Sequence, residues 1–181
     1  MIDEIFYRPR TGEDMRRATE GAPIYKYSDV CEEARKKGAV SVLWQMFKQS
    51  LNNVLLLQDP DNMSSGHWMG LSFNPVKWEI YFFSSYGGKP DFEKNKWISE
   101  DDQLQSGQQT DALNDGLREM CKLGFKVYFN DHPYQREGDN TATCGIWTAA
   151  FLNSGMNPDQ FYMYNLRHHV GAPEYFQRYF M

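Results

Sequence analysis

The first candidate for chemistry is Cys144, in the stretch TATCGIWTAAF that covers residues 141–151. The stretch begins with small polar residues and becomes apolar after Gly145, which predicts a helix with Cys144 in its first turn. The unpaired N–H groups and partial positive charge of a helix N-terminus stabilise a thiolate and lower the thiol pKa. Cys144 is therefore a candidate nucleophile. The alternative is a packing role where the helix enters the core, because free cysteine is often buried.

A cysteine nucleophile needs a base and hydrogen-bond donors for the oxyanion. His67 suits the base best, because it follows a glycine at the start of a predicted strand and can project into a cleft. His132 lies in a turn beside a proline, and the rings of His168 and His169 would point about 100° apart on a helix. Gln135, nine residues before the cysteine, is either an oxyanion donor or an ordinary polar loop residue.

The elements that must position these residues indicate a single α+β domain over residues 1–181, with residues 1–25 as a possible surface arm. Apolar runs predict a central, mainly antiparallel sheet of strands 53–58, 67–74, 78–85 and 125–130. The connector Pro75–Lys77 makes the second and third strands a hairpin. Helices are predicted at 28–37 with Ser28 as the cap, at 42–51, 110–124 and 144–155, and in the tail, and 85–97 is predicted to be a loop.

Composition and charge exclude several classes of protein. The net charge of −5 argues against tight electrostatic binding to nucleic acid. The chain has no apolar run of the ~18 residues that span a membrane, and its start lacks a secretory signal pattern. Cys31, Cys121 and Cys144 are too few and too irregular for a disulfide framework or a zinc site. We therefore expect a reduced intracellular compartment, no metal and no cofactor.

Four motifs in order, GHW (66–68), FFSSYGGKPD (82–91), YQ (134–135) and TCGIW (143–147), resemble one family. They are similar to the adenovirus-type maturation proteases, which belong with the cysteine proteases that remove the SUMO modifier, and in particular to the branch of virophages and large DNA viruses. The motifs span about 80 of the 181 residues. The resemblance implies a papain-like α+β fold with helices flanking the sheet and the nucleophile at a helix N-terminus.

Residue by residue, the resemblance implies that His67 is the general base, Gln135 the oxyanion donor and Cys144 the nucleophile. The order of histidine and cysteine is the reverse of that in papain, but catalytic roles follow geometry rather than chain order. Trp68 is a candidate wall of the substrate cleft, with a core position as the alternative.

Ser84 departs from the family pattern, because it stands where the family has an acidic residue or an amide. A serine hydroxyl orients the histidine ring but supplies no charge. Glu79 lies on the same strand and faces the other side of the sheet, and Asp91 could reach the ring only if the following loop folds back. We therefore expect a Cys–His dyad supported by Ser84.

The function that the resemblance implies is a monomeric cysteine endopeptidase that cleaves capsid or other virion precursors after small residues, in the virion and the host-cell cytoplasm. We expect no membrane partner for this endopeptidase. One alternative is a protease that releases a ubiquitin-like modifier after its terminal di-glycine. Another is a non-catalytic protein with the same fold, which only Ser84 supports. Adenoviral relatives respond to a basic peptide and to DNA. Here the acidic balance argues against DNA, and Cys31 and Cys121, both predicted to be buried, offer no pairing thiol.

Overall fold

The computed structural model describes residues 2–138 and 141–181, and it has a mixed α+β fold. The strands are β1 Ile24–Lys26, β2 Asn52–Asp59, β3 Asn62–Asn74, β4 Glu79–Ser84 and β5 Lys126–Phe129. The first helices are α1 Ile2–Phe6, α2 Gly12–Ala18, α3 Tyr27–Lys37, α4 Ala39–Gln49 and α5 Phe92–Trp97. They are followed by α6 Glu100–Gln105, α7 Ala112–Lys122, α8 Cys144–Ser154, α9 Pro158–His168 and α10 Ala172–Tyr179.

The five strands form one sheet in the order β1-β2-β3-β4-β5. The central pairs β2–β3 and β3–β4 are antiparallel, and the two edge pairs are parallel. The predicted hairpin is confirmed, since β3 and β4 pair on either side of the turn at 75–78. The four predicted strands are present, and β1 is a fifth strand that the sequence analysis did not predict.

Both faces of the sheet are covered, so alternate residues of a strand enter different cores. Leu55, Leu57, Met69 and Leu71 pack in the core beneath α3, α4 and α7. Val54, Leu56 and Trp68 pack in the second core, which contains α8 and residues of α2, α9 and α10. Because both sides are covered, the middle of β2 is a continuous apolar run rather than an alternating one.

Helix α8 is buried around its whole circumference, from Gly145 to Leu152. A helix that is apolar on every side must lie inside the protein, and α8 packs directly against β3. The Thr148 hydroxyl donates a hydrogen bond to the carbonyl of Trp68 at 3.1 Å. This contact fixes the start of α8 near the part of β3 that carries His67 and Trp68.

Several predicted boundaries need correction. Helix α3 begins at Tyr27 and has no side-chain cap; Ser28 lies inside it, and its N–H donates to the side chain of Gln58. The segment 85–97, predicted to be a loop, contains α5. That helix brings two charged residues into the interior, Glu93 and Lys94, each about 1% exposed.

The N-terminal segment packs into the second core instead of forming a surface arm. Ile5, Met15 and Ala18 are buried there. The indole of Trp68 donates a hydrogen bond to the carbonyl of Arg10 at 2.9 Å, and the Ala142 N–H donates to another carbonyl of this segment. The first residues of the chain therefore contribute to the surroundings of the start of α8.

Gly66 provides a test of how β3 positions His67. Its φ of +150° is disfavoured for other residues, and a Cβ there would lie 1.9 Å from the carbonyl oxygen of Leu57. We expect Gly66→Ala to lower the free energy of unfolding by about 3 kcal/mol, measured by urea denaturation. The control is Gly12→Ala, where the nearest atom to the new Cβ is 3.8 Å away and no loss is expected. Equal stability of the two variants would contradict this account of the backbone at Gly66.

Candidate active site

A cavity of about 660 Å³ lies where β3, the start of α8 and residues 9–12 meet. Its lining includes His67, Trp68 and Cys144, three of the residues singled out from the sequence. It also includes Arg10, Tyr86 and Trp97, to which the sequence analysis assigned no role. The structure thus brings the candidate base and the candidate nucleophile to one cavity, together with the candidate cleft wall.

His67 is held between aromatic side chains and is buried. Its ring centroid lies 5.0 Å from that of Tyr86 and 5.9 Å from that of Trp97, and the residue is only 8% exposed. Burial lowers the pKa of His67 to about 3, because a desolvated imidazole resists charging. His67 is therefore neutral at neutral pH.

The His67 ring is anchored by Ser84 on the neighbouring strand. Nε2 of His67 lies 2.9 Å from Oγ of Ser84. The pleat explains the contact, since Ser84 pairs with Met69 and His67 lies two residues before Met69, so both side chains project from one face. Asn130 holds the Ser84 backbone: its Oδ1 accepts from the Ser84 N–H at 3.0 Å, and its Nδ2 donates to the Ser84 carbonyl.

A carboxylate does reach this group, and it is Glu93 of α5. The Ser84 hydroxyl donates a hydrogen bond to Oε1 of Glu93, and both residues are buried. Burial raises the pKa of the Glu93 carboxyl, and the bond from Ser84 opposes that rise. The sequence pattern at 85–97 predicts a loop and so gives no sign of Glu93, whereas the helical turn of α5 directs this side chain inward.

Neither carboxylate considered from the sequence reaches the histidine anchor. Asp91 accepts hydrogen bonds from the hydroxyl of Tyr27 and from the N–H of Asn114 at 2.8 Å, so it joins α3 to α7. Glu79 accepts a hydrogen bond from the hydroxyl of Tyr81. The idea that Asp91 folds back onto the histidine is therefore wrong.

Cys144 is the first residue of α8 and is half-buried. Burial raises the pKa of its thiol; the backbone N–H groups of Trp68, Gly145 and Cys144 itself, and the charge of Arg10, oppose the rise. The helix N-terminus alone predicted a lowered pKa, but desolvation of the sulfur is the larger effect. These N–H groups are donors that can also serve an oxyanion.

Gln135 stands next to the start of α8 but outside the described lining of the cavity. Its Oε1 accepts a hydrogen bond from the hydroxyl of Thr143 at 2.8 Å, which leaves its amide N–H groups to donate. Burial raises the pKa of Tyr86, and a hydrogen bond from the Gln135 side chain opposes that rise. Gln135 thus contacts the residue before Cys144 and an aromatic residue of the cavity wall.

The remaining histidines and thiols lie elsewhere. His132 stacks on the ring of Tyr162 at 4.0 Å, and His168 packs near Tyr164. Cys31 is buried as predicted, and burial raises its thiol pKa to about 11. Cys121 is exposed, so the prediction that it is buried is wrong; it lies on the outer face of α7.

Comparison with known proteins shows that part of the chain is similar to a viral protein. No family model matches the chain. A Sputnik virophage protein described as "Uncharacterized protein V9" is 34% identical over 94 residues, which are 52% of this chain and 50% of that protein. The chain thus spans about half the length of the curated relative it matches. Within the described residues, no helix is long and apolar enough to cross a membrane.

The resting protonation of Cys144 can be measured by alkylation. Because burial raises its thiol pKa and keeps His67 neutral, we expect the rate of iodoacetamide modification to keep rising with pH above the range in which a free cysteine ionises. Peptide mass mapping of a Cys121→Ser variant follows Cys144 without interference from the exposed thiol. A rate that is flat from about pH 5 to 8 would instead indicate a preformed thiolate–imidazolium pair and would contradict the neutral resting state.

Proposed function

We propose that the protein is a cysteine endopeptidase of papain-like architecture, with Cys144 as nucleophile and His67 as general base. The observation that carries the proposal is the shared cavity: it is lined by both residues, and the histidine is anchored from behind by a buried hydroxyl and carboxylate. The resemblance of the four motifs to the adenovirus-type proteases supports the same assignment.

In the proposed reaction, Nδ1 of His67 accepts the thiol proton as the sulfur attacks the peptide carbonyl carbon. Nε2 is engaged by Ser84, so Nδ1 is the nitrogen left for this step. The tetrahedral intermediate collapses by breaking the C–N bond, and the proton passes from His67 to the leaving amine. Water then hydrolyses the thioester. Since both groups are neutral at rest, proton transfer accompanies attack.

Negative charge on the carbonyl oxygen requires preorganised donors. The backbone N–H groups of Cys144 and Gly145, at the start of α8, lower the pKa of the Cys144 thiol against the effect of burial. Gln135 is the proposed side-chain donor. The Thr143 hydroxyl donates a hydrogen bond to the side-chain oxygen of Gln135 and so orients the amide group.

The proposed substrate is a capsid or other virion precursor, cleaved in the virion or host-cell cytoplasm by a monomeric enzyme. The likeness to a virophage protein supports a viral setting. Trp68, Tyr86 and Trp97 give the cavity large, rigid aromatic walls, which favour small residues such as glycine next to the scissile bond. A di-glycine end of a ubiquitin-like modifier would also fit such walls, and the assay below separates the two substrates.

The non-catalytic alternative has less support than the sequence suggested. It relied on Ser84 lacking a carboxylate, and Glu93 lies directly behind that serine.

The dyad is tested by mutation. We expect Cys144→Ala and His67→Ala each to lower kcat/KM at least about 1,000-fold, and the double variant to be no worse, because the two residues act as one unit. Cleavage is followed on a capsid precursor and, separately, on a modifier-linked reporter. Cys121→Ala is the matched control, since it removes an exposed thiol, and should retain full activity. Undiminished cleavage by Cys144→Ala would refute the assignment.

The oxyanion role makes a separate prediction. Gln135→Ala should lower kcat about 10- to 1,000-fold with little change in KM, because the donor acts mainly when charge develops on the carbonyl oxygen. Thr143→Val, which removes the hydroxyl that orients Gln135, should give a smaller loss in the same direction. A change confined to KM would make Gln135 a substrate-binding residue.

A further inference from the structure

Three buried side chains form a continuous hydrogen-bonded chain behind the cavity. Nε2 of His67 contacts Oγ of Ser84, and Oγ of Ser84 contacts Oε1 of Glu93. Ser84 is fully buried, Glu93 is about 1% exposed and His67 about 8%. With little water at these positions, the three groups must satisfy one another.

We propose that Glu93 is the positioning residue of this site: acting through Ser84, it holds His67 in the tautomer that carries its proton on Nε2. The catalytic consequence rests on the proposed function. The tautomer itself does not, because it follows from the hydrogen-bonded chain and the charge of Glu93.

Which group donates in each of these hydrogen bonds follows from counting the protons that the three side chains hold. A serine hydroxyl has one hydrogen to donate and lone pairs to accept. An ionised Glu93 only accepts, so Ser84 must donate to it and its lone pair is left for His67. His67 therefore donates from Nε2, and Nδ1 keeps the lone pair that a general base needs.

Protonation of Glu93 exchanges donor and acceptor in both hydrogen bonds. A carboxylic acid donates its own O–H to Ser84, which frees the Ser84 hydrogen for Nε2 of His67. The imidazole then carries its proton on Nδ1 and cannot accept one from a thiol. The charge of a residue that does not line the cavity thus decides whether the base is competent.

The surroundings of Glu93 raise the pKa of its carboxyl, so the tautomer changes at a higher pH than the ordinary pKa of a glutamate would give. Burial raises its pKa, and the charges of Asp91 and Glu137 add to that rise. The neighbouring cations face other partners: Lys94 binds Asp111 and Lys96 binds Glu137. The charge of Glu93 also raises the pKa of Tyr86. His67 stays neutral down to about pH 3, so the tautomer changes without the ring becoming charged.

This arrangement also alters what an acid at position 84 would do. Ser84→Asp would place two carboxyl groups side by side in the interior, where like charges cannot both ionise and one proton is shared. The direct acid of the related proteases is therefore incompatible with Glu93. Ser84→Asp combined with Glu93→Gln removes the conflict.

The tautomer is measured on the full-length protein by ¹⁵N chemical shifts of the histidine rings, with the His67 signals assigned by their loss in His67→Gln. We expect the Nε2–H form at neutral pH, and a shift toward the Nδ1–H form as the pH falls through the Glu93 transition. In Glu93→Gln and Ser84→Ala the tautomer ratio should be independent of pH. Glu137→Gln is the control: it removes a nearby exposed charge and should preserve the switch.

Kinetics give a second readout. Glu93→Leu should lower kcat about 100-fold, and Glu93→Gln should remove the acidic limb of the pH–rate profile. Ser84→Asp alone should be poorly active, and Ser84→Asp with Glu93→Gln should recover. Glu93→Gln should fold at least as stably as the parent near neutral pH. A group with a raised folded pKa loses its stabilising contribution as pH rises through that value, and the substitution removes a buried charge.

The two proposals fail separately. A His67 tautomer that does not change with pH in the parent protein, or one that switches equally in Ser84→Ala, overturns the role of Glu93 whatever the activity. If the parent and Cys144→Ala are equally inactive on both substrates while the ring still switches, the peptidase proposal fails and the positioning role of Glu93 stands.

Discussion

The geometry of this protein depends on the burial of α8 against β3. Residues Gly145 to Leu152 are all buried, so no side of this helix is exposed to solvent along that stretch and the helix must lie within the core. Gly70 permits the close approach, because a side chain there would come within 3.2 Å of Leu152. Since the helix axis is fixed in this way, its first residue, Cys144, has little freedom in where it lies.

Desolvation governs the chemistry of the site as much as hydrogen bonding does. It raises the pKa of Cys144 and of Glu93 and lowers that of His67, so each group is biased toward its neutral form. The N–H groups at the start of α8 and the charge of Arg10 favour the thiolate, but they do not outweigh burial. A site of this kind responds strongly to any polar group that enters it, because charges there are poorly screened.

The segments around the sheet that looked peripheral in sequence are structural parts of the site. The N-terminal segment supplies Arg10, whose backbone binds Trp68 and whose guanidinium lies 4.9 Å from the ring centre of Phe176. Helix α5 supplies Glu93, and Trp97 at its end borders His67. Both segments combine charged and apolar residues without a clear period, so their sequences alone resemble surface loops.

The sequence by itself determined strands β2 to β5 of the sheet and the α3, α7 and α8 helices, and it singled out His67, Ser84, Gln135 and Cys144 as candidates. Those features depend on local patterns: apolar runs, β-branched and aromatic content, and glycine stops. Only the tertiary structure decided that Glu93, rather than Asp91, stands behind Ser84, and that burial raises the pKa of Cys144. Both depend on which groups meet across distant parts of the chain and on how much water they lose, and neither property has a local signature.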